Sequence, residues 1–81
     1  MDQQIYPIVI KAISKQKMLD VSLISENSTL ETLAISSLDA ISIMYDIEDA
    51  LDIEVPNEVL ENLKSVRDIL VEINRLVQSR N

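Results

Sequence analysis

The 81-residue sequence contains no glycine, cysteine, histidine, phenylalanine or tryptophan. Without cysteine there is no disulfide, no thiolate nucleophile and no cysteine metal site, and without histidine no side chain ordinarily accepts a proton near neutral pH. These absences exclude most of the mechanisms that small enzymes use. We therefore expect a protein that is not an enzyme.

The absence of glycine also bears on the fold, because tight hairpins and phosphate-binding loops need residues that tolerate positive φ. It favours helices joined by polar loops, and we predict an all-α fold. A chain of this length can bury one core but not two, so residues 1–81 should form a single domain. The core should be aliphatic, because the aromatic residues are only Tyr6 and Tyr45.

The apolar pattern predicts a four-helix bundle with a short third helix and a long loop between helices one and two. The first helix is indicated by apolar residues at helical spacing: Ile5, Ile8, Val9, Ala12 and Ile13. Pro7 leaves its beginning open, because a start near Asp2 would make the first turn irregular and a start near Tyr6 would not. In the loop, residues 18–35, three apolar side chains should reach the core: Leu30, Leu33 and Ile35.

The second helix should run from about Ser37 to Leu51, with an apolar line of residues on one face and an acidic line on the opposite face. The apolar line is Ile43, Ile47 and Leu51, and the acidic line is Asp39, Ser42, Asp46 and Asp49. Pro56 ends this segment, and a short helix follows near residues 57–62. The last helix should open with a capping box of Ser65 and Asp68 and bury Val66, Ile69, Leu70, Ile73, Leu76 and Val77.

The net charge of −7 is unevenly distributed, because residues 18–63 contain eleven acidic residues and no lysine or arginine. Such a segment could simply keep the protein soluble, or it could attract basic partner proteins and steer their approach. Its sign argues against nucleic acid as a partner. The acids of residues 46–54 lack the glycine and the glutamate spacing of a calcium loop, so we expect no dedicated metal site.

The beginning of the sequence has an acid at Asp2, no basic lead, and an apolar stretch far shorter than a bilayer span. We therefore expect a cytoplasmic protein without membrane insertion. We also expect a monomer.

Two adjacent serines, Ser36 and Ser37, stand at the predicted entrance of the second helix. Ser36 has Asp39 three residues later, which is the spacing of a capping box. Ser37 would then be the first helical residue, with its hydroxyl exposed near unpaired N–H groups and the positive end of the helix dipole. A phosphate ester at that oxygen would be stabilised by these surroundings.

These serines belong to a longer set of features. The run "STLETLAISSLDAISIMYDIEDALDIEVPNE" is followed by "LKSVRDILVEI", and together they contain a serine motif, an acidic helix, a proline turn and an S-V-x-D entry to the last helix. In this order the features resemble the acyl carrier proteins of the bacterial, free-standing type. Because the chain has no thiol, it could present an acyl thioester only through a prosthetic group.

The resemblance implies that Ser37 carries a covalent 4'-phosphopantetheine arm derived from coenzyme A, with Ser36, Leu38 and Asp39 completing the motif. The chain would carry acyl intermediates as thioesters for fatty-acid, lipid or polyketide-type synthesis. The implied partners are a phosphopantetheinyl transferase and acyl-transferring, condensing or ligase enzymes with basic docking patches. The residues implied for partner recognition are Ile41, Tyr45, Asp46, Asp49 and Glu54.

Three positions depart from the family pattern. Ser36 stands where the motif usually has an aspartate that contacts the basic transferase. Ala34 stands where a glycine is common, and Tyr45 where a smaller or more flexible apolar residue is common. These departures favour a specialised carrier. Two alternatives stay open: a D-alanyl or aminoacyl carrier, and an unmodified carrier-like module that uses its acidic helix only for binding.

Overall fold

The computed structural model describes residues 4–79, and in this range it contains four α-helices and one short 3₁₀ helix. The α-helices are α1 (Ile5–Lys17), α2 (Ser37–Leu51), α3 (Asn57–Glu61) and α4 (Val66–Ser79). The 3₁₀ helix, Val21–Leu23, lies in the long loop between α1 and α2. The predicted all-α, four-helix architecture with a short third helix is confirmed. None of the described helices has both the length and the apolar character needed to cross a bilayer.

Helix α1 begins at Ile5, which answers the question that Pro7 raised. Pro7 is the third residue of the helix, and the first four N–H groups of a helix have no intrahelical acceptor. The missing N–H of proline therefore costs the helix no hydrogen bond. The start near Tyr6 was the better prediction, while Asp2 lies outside the described residues.

The buried side chains form one aliphatic cluster, and no polar or charged residue is buried in the described part of the chain. The predicted inward residues of α4 are confirmed, with Leu76 and Val77 only partly buried. Helix α1 buries Ile10 in addition to its predicted stripe, whereas Ile8 is partly buried. The buried face of α1 is wider than predicted because this helix packs against α2, α4 and the 3₁₀ helix. Ile24 and Met44 are also buried and were not predicted.

The long loop is fixed to the core and to the start of α4. Three of its side chains pack against the core as predicted: Leu30, Leu33 and Ile35. The backbone adds an antiparallel bridge, in which Leu30 N–H donates to Lys64 O and Val66 N–H donates to Ser28 O, both at 2.9 Å. The sequence did not predict this bridge, which holds the loop that leads into α2.

Within residues 4–79 of this glycine-free chain, three residues adopt a left-handed backbone: Met18, Ala34 and Asp52, with φ of 54°, 56° and 55°. Met18 and Asp52 close the C-terminal ends of α1 and α2, and their N–H groups donate to Ser14 O and Glu48 O. Such a backbone costs a residue with a Cβ roughly 1–2 kcal/mol. The absence of glycine predicted the fold class correctly. It did not exclude the left-handed backbone, which three non-glycine residues adopt in the described part of the chain.

Candidate functional site

The entrance of α2 is closed by a capping box, as the spacing of Ser36 and Asp39 indicated. Ser36 has an extended backbone, with φ of −79° and ψ of 174°, and its hydroxyl accepts a hydrogen bond from Asp39 N–H at 3.1 Å. The Asp39 carboxylate accepts one in return from Ser36 N–H, also at 3.1 Å. Two N–H groups that the helix leaves unpaired are satisfied in this way.

Ser37 is the first residue of α2 and is exposed to solvent. Its hydroxyl has no hydrogen-bond partner within residues 4–79, whereas the hydroxyl of Ser36 is occupied by the cap. The two adjacent serines therefore differ in availability, and only Ser37 offers an unengaged oxygen. An anionic group on that oxygen would lie near the positive end of the α2 dipole.

Asp39 also joins α2 to α1. Lys17 Nζ lies 2.9 Å from Asp39 Oδ2, and Gln16 Nε2 donates to Asp39 Oδ1 at 3.1 Å. The ammonium of Lys17, together with Ser36 N–H and the amide of Gln16, holds the pKa of the Asp39 carboxyl well below its ordinary value. The carboxylate is thus ionised and committed to contacts within the chain, where it positions the turn that carries Ser37.

Ala34 gives a physical reason for one departure from the family pattern. Its φ of 56° lies in the left-handed region, which glycine enters without the steric cost that a Cβ imposes. Ala34 N–H donates to Glu31 O at 3.0 Å, and Ile35 N–H donates to Leu30 O at 2.9 Å, so hydrogen bonds hold this turn two residues before the cap. Glycine suits this position because of its backbone, and this chain tolerates alanine there.

The acidic line of α2 does not form a free face opposite the core, and that part of the prediction was wrong. Asp39 contacts Lys17, and Asp46 Oδ2 lies 3.8 Å from Lys15 Nζ. These acids lie on the flank of α2 beside α1, where the lysines of the last two turns of α1 can reach them. Asp49, further along the line, is exposed and forms no ion pair within the described residues.

The solvent face of α2 instead begins with apolar side chains. Leu38, Ile41 and Tyr45 are 77%, 36% and 63% exposed, and their spacing places them on one side of the helix. The resemblance had named Ile41 and Tyr45 for recognition, but had treated Leu38 only as part of the motif. The sequence did contain a signal for this exposed stripe. Leu38, Ile41 and Tyr45 are large apolar residues at helical spacing, and none of them belongs to the predicted core line of α2.

A groove of about 340 Å³ lies between α2 and α3 and has Ser37 at its wall. Ala40, Ile41 and Leu60 provide its apolar lining, and Asn57 and Glu61 provide polar atoms. Helix α3 has no buried residue. This groove is the apolar space that Ser37 adjoins.

The connection between α2 and α3 depends on Glu48. Its carboxylate accepts a hydrogen bond from Val55 N–H at 2.6 Å, and its carbonyl accepts from the N–H groups of Asp52 and Ile53. Glu48 is therefore used to hold the turn, while Glu54 in the same turn is exposed and forms no ion pair in residues 4–79. The described residues contain no group of three or more acidic side chains that could hold a metal ion.

Comparison of the sequence with known proteins finds a family whose members have a modified attachment site. The family model described as a phosphopantetheine attachment site matches residues 8–71. An acyl carrier protein homolog of Mycoplasma genitalium is 34% identical over 73 residues, which cover 88% of this chain and 87% of that protein. An acyl carrier protein of Phytoplasma mali is 37% identical over 68 residues, covering 83% and 81%.

The fold has a counterpart among solved structures. The crystal structure of an acyl carrier protein from Thermotoga maritima superposes with a TM-score of 0.84 at 16% identity, covering 98% of this chain and 93% of that one. The chain belongs to the acyl carrier protein family, whose members carry a covalent 4'-phosphopantetheine group and act as carriers for partner enzymes, not as catalysts. An exposed, unengaged serine hydroxyl at a helix N-terminus fits such a group.

Proposed function

We infer that the chain carries acyl groups as thioesters on a 4'-phosphopantetheine arm attached to Ser37, and delivers them to enzymes of fatty-acid, lipid or polyketide-type synthesis. The observation that carries this proposal is the contrast between Ser37, whose hydroxyl is exposed and unengaged, and Ser36, whose hydroxyl caps α2. The arm would supply the thiol that this cysteine-free chain lacks.

The surroundings of Ser37 support both attachment and cargo binding. The capping box and the Lys17–Asp39 contact fix the turn, so the hydroxyl is presented from a rigid helix end. The adjoining groove, lined by Ala40, Ile41 and Leu60, offers apolar surface to the first carbons of an acyl chain. Exposed acids that follow on the same helix and its connection, Asp49 and Glu54, favour partners with basic surfaces.

The partners in this proposal are a phosphopantetheinyl transferase, which takes the arm from coenzyme A, and acyl-transferring, condensing or ligase enzymes. The protein would work as a cytoplasmic, monomeric, single-domain carrier. Two departures from the family pattern favour a specialised carrier over a general one: an uncharged serine, Ser36, in place of the usual aspartate, and an aromatic residue, Tyr45, in place of a smaller or more flexible one.

Intact mass spectrometry tests the attachment site. The apo protein, the Ser37→Ala variant and the Ser36→Ala variant are each incubated with coenzyme A and a broad-specificity bacterial phosphopantetheinyl transferase. The parent and Ser36→Ala proteins should gain one arm, and Ser37→Ala should gain none. Because losing the cap weakens α2, circular dichroism verifies that both variants are folded.

An arm mapped to Ser36, or modification that survives Ser37→Ala, would contradict the assignment. The acyl group found on the arm after expression in the native host separates an acyl carrier from a D-alanyl or aminoacyl carrier. If several transferases all leave the parent protein unmodified, the chain is a binding module without an arm.

A further inference from the structure

We propose that two lysines of α1 neutralise the acids of α2 nearest Ser37, so that the charge available for docking lies at the far end of the helix. A partner enzyme matched to this chain must then be apolar beside the point where the arm enters and basic at a distance from it. This inference rests on the proposed function, because it specifies the partner of the same site.

The first acids of α2 are paired within the chain. Lys17 and Asp39 are 2.9 Å apart, and their side chains are only 22% and 20% exposed. Lys15 and Asp46 are 3.8 Å apart and more exposed. An exposed pair adds little to stability, but at the distance of an approaching partner its two opposite charges largely cancel. With Ser36 uncharged, the part of α2 from Ser37 to Asp46 has almost no net charge.

The far end of α2 is different. Asp49, Asp52 and Glu54 are exposed, and none of them forms an ion pair within residues 4–79. Lys11 shares a groove between α1 and α2 with Asp49 but is not within ion-pair distance of it. Two exposed acids of α3, Glu58 and Glu61, extend the negative region.

Helix geometry places the apolar and the acidic parts on one line. Residues 38, 41, 45 and 49 follow one another at intervals of three or four within α2, so they return to the same side of the helix, and Asp52 is the C-cap residue that follows it. The line begins with the exposed apolar residues Leu38, Ile41 and Tyr45, and it ends with Asp49, close to the exposed C-cap residue Asp52. At about 1.5 Å of rise per residue, Tyr45 lies roughly 10 Å and Asp49 and Asp52 roughly 15–20 Å along the axis from Leu38.

The complementary partner has two parts. An apolar patch beside the opening that receives the arm would accept Leu38 and Tyr45, whose contact does not depend on salt. A cluster of lysine or arginine residues roughly 15–20 Å away would meet the free acids, and this contact weakens as salt screens it. A partner whose basic residues abut the attachment serine would find no unpaired acid there.

Charge variants that remain folded test the inference, with a broad-specificity bacterial phosphopantetheinyl transferase as the probe. The KM for the apo protein is measured at low and at physiological salt. Asp49→Asn combined with Asp52→Asn should raise the KM severalfold at low salt, and the difference should shrink as salt is added. Glu31→Gln removes an exposed acid of the long loop and should leave the KM unchanged.

Two further comparisons separate masking from a general charge effect. Lys15→Ala frees Asp46 and should lower the KM more than Lys11→Ala does, because Lys11 lies on the same helix and forms no ion pair within residues 4–79. Asp46→Asn should raise the KM less than Asp49→Asn does. Tyr45→Ala should raise the KM equally at both salt concentrations, while Tyr6→Ala on α1 should not change it.

The variants are also compared for binding to the transferase without coenzyme A. Equal effects of Asp46→Asn and Asp49→Asn, or equal effects of Lys15→Ala and Lys11→Ala on the KM and the affinity, would overturn the inference while Ser37 could still be modified. Salt-sensitive binding that depends on Asp49 and Asp52 in a protein that is never modified would support the inference and overturn the proposed function.

Discussion

The carboxylate of Asp39 accepts a hydrogen bond from Lys17 Nζ at 2.9 Å and so joins the last turn of α1 to the first turn of α2. The same carboxylate accepts the N–H of Ser36, which precedes the proposed attachment residue. Asp39 therefore has two roles: it completes the cap of its own helix, and it anchors that helix to its neighbour. The sequence pattern places Asp39 on the solvent face of α2, but in the structure its carboxylate forms contacts within the chain.

This contact predicts a dependence of stability on pH. The pKa of Asp39 is lowered in the folded protein, so its contribution is complete above the ordinary pKa of about 4 and is lost as the pH falls toward the folded value. Between pH 5 and 2, the free energy of unfolding of the parent should therefore fall relative to that of Asp39→Asn. Urea unfolding at constant ionic strength, followed by circular dichroism, measures the difference.

Asp49→Asn is the control for this experiment, because it removes a charge of α2 without removing an ion pair. If Asp39→Asn and Asp49→Asn change the slope against pH equally, the effect comes from net charge and not from the contact with Lys17.

The left-handed backbone at Ala34 predicts a stabilising substitution. Ala34→Gly removes a steric cost of roughly 1–2 kcal/mol and adds an entropic cost of roughly 0.5–1 kcal/mol, so the variant should gain about 0.5–1 kcal/mol. Ala50→Gly, at an exposed position inside α2, should instead lose a similar amount. Urea unfolding measures both, and a destabilised Ala34→Gly protein would contradict the backbone argument.

Ser36 keeps the capping role of the usual aspartate but lacks its charge. Because serine and aspartate are similar N-caps, Ser36→Asp should change stability by only a few tenths of a kcal/mol, whereas Ser36→Ala should lose roughly 1 kcal/mol. The family pattern implies that the broad-specificity transferase has basic residues where it meets the usual aspartate, in contrast to a partner matched to this chain. Ser36→Asp should therefore be modified severalfold faster by this transferase at low salt, with the advantage shrinking as salt is added. Equal modification rates in the parent and in Ser36→Asp would mean that this residue acts only as a cap.

The hydrogen bond from Val55 N–H to the Glu48 carboxylate predicts local opening when it is removed. Glu48→Ala leaves this half-buried N–H without its acceptor, which should cost roughly 1–2 kcal/mol and speed hydrogen exchange at Val55. Glu54→Ala, at an exposed position in the same turn, should do neither. Amide exchange followed by NMR decides, and unchanged protection of Val55 in Glu48→Ala would show that the turn does not depend on this bond.

The sequence by itself determined the helices, because their signals are local. The predicted bounds of α2 agree with the structure, since Ser36 and Asp39 form a capping box at one end and the apolar period stops before Pro56 at the other. The short α3 and the capping box of Ser65 and Asp68 that precedes α4 followed from the same kind of signal. The serine motif, read against the family pattern, was sufficient to propose the attachment residue and to expect the arm.

Only the tertiary structure decided which acids of α2 are available to a partner. Helical periodicity gives the angle of a side chain about its own axis, but not which neighbouring helix lies beside that angle or whether a lysine reaches across. Lys17 and Asp39 are separated by 22 positions, and Glu26 and Arg67, whose side chains lie 2.6 Å apart, by 41. Such contacts depend on how α1 and α4 pack around the aliphatic core, and packing brings together residues that no local pattern connects.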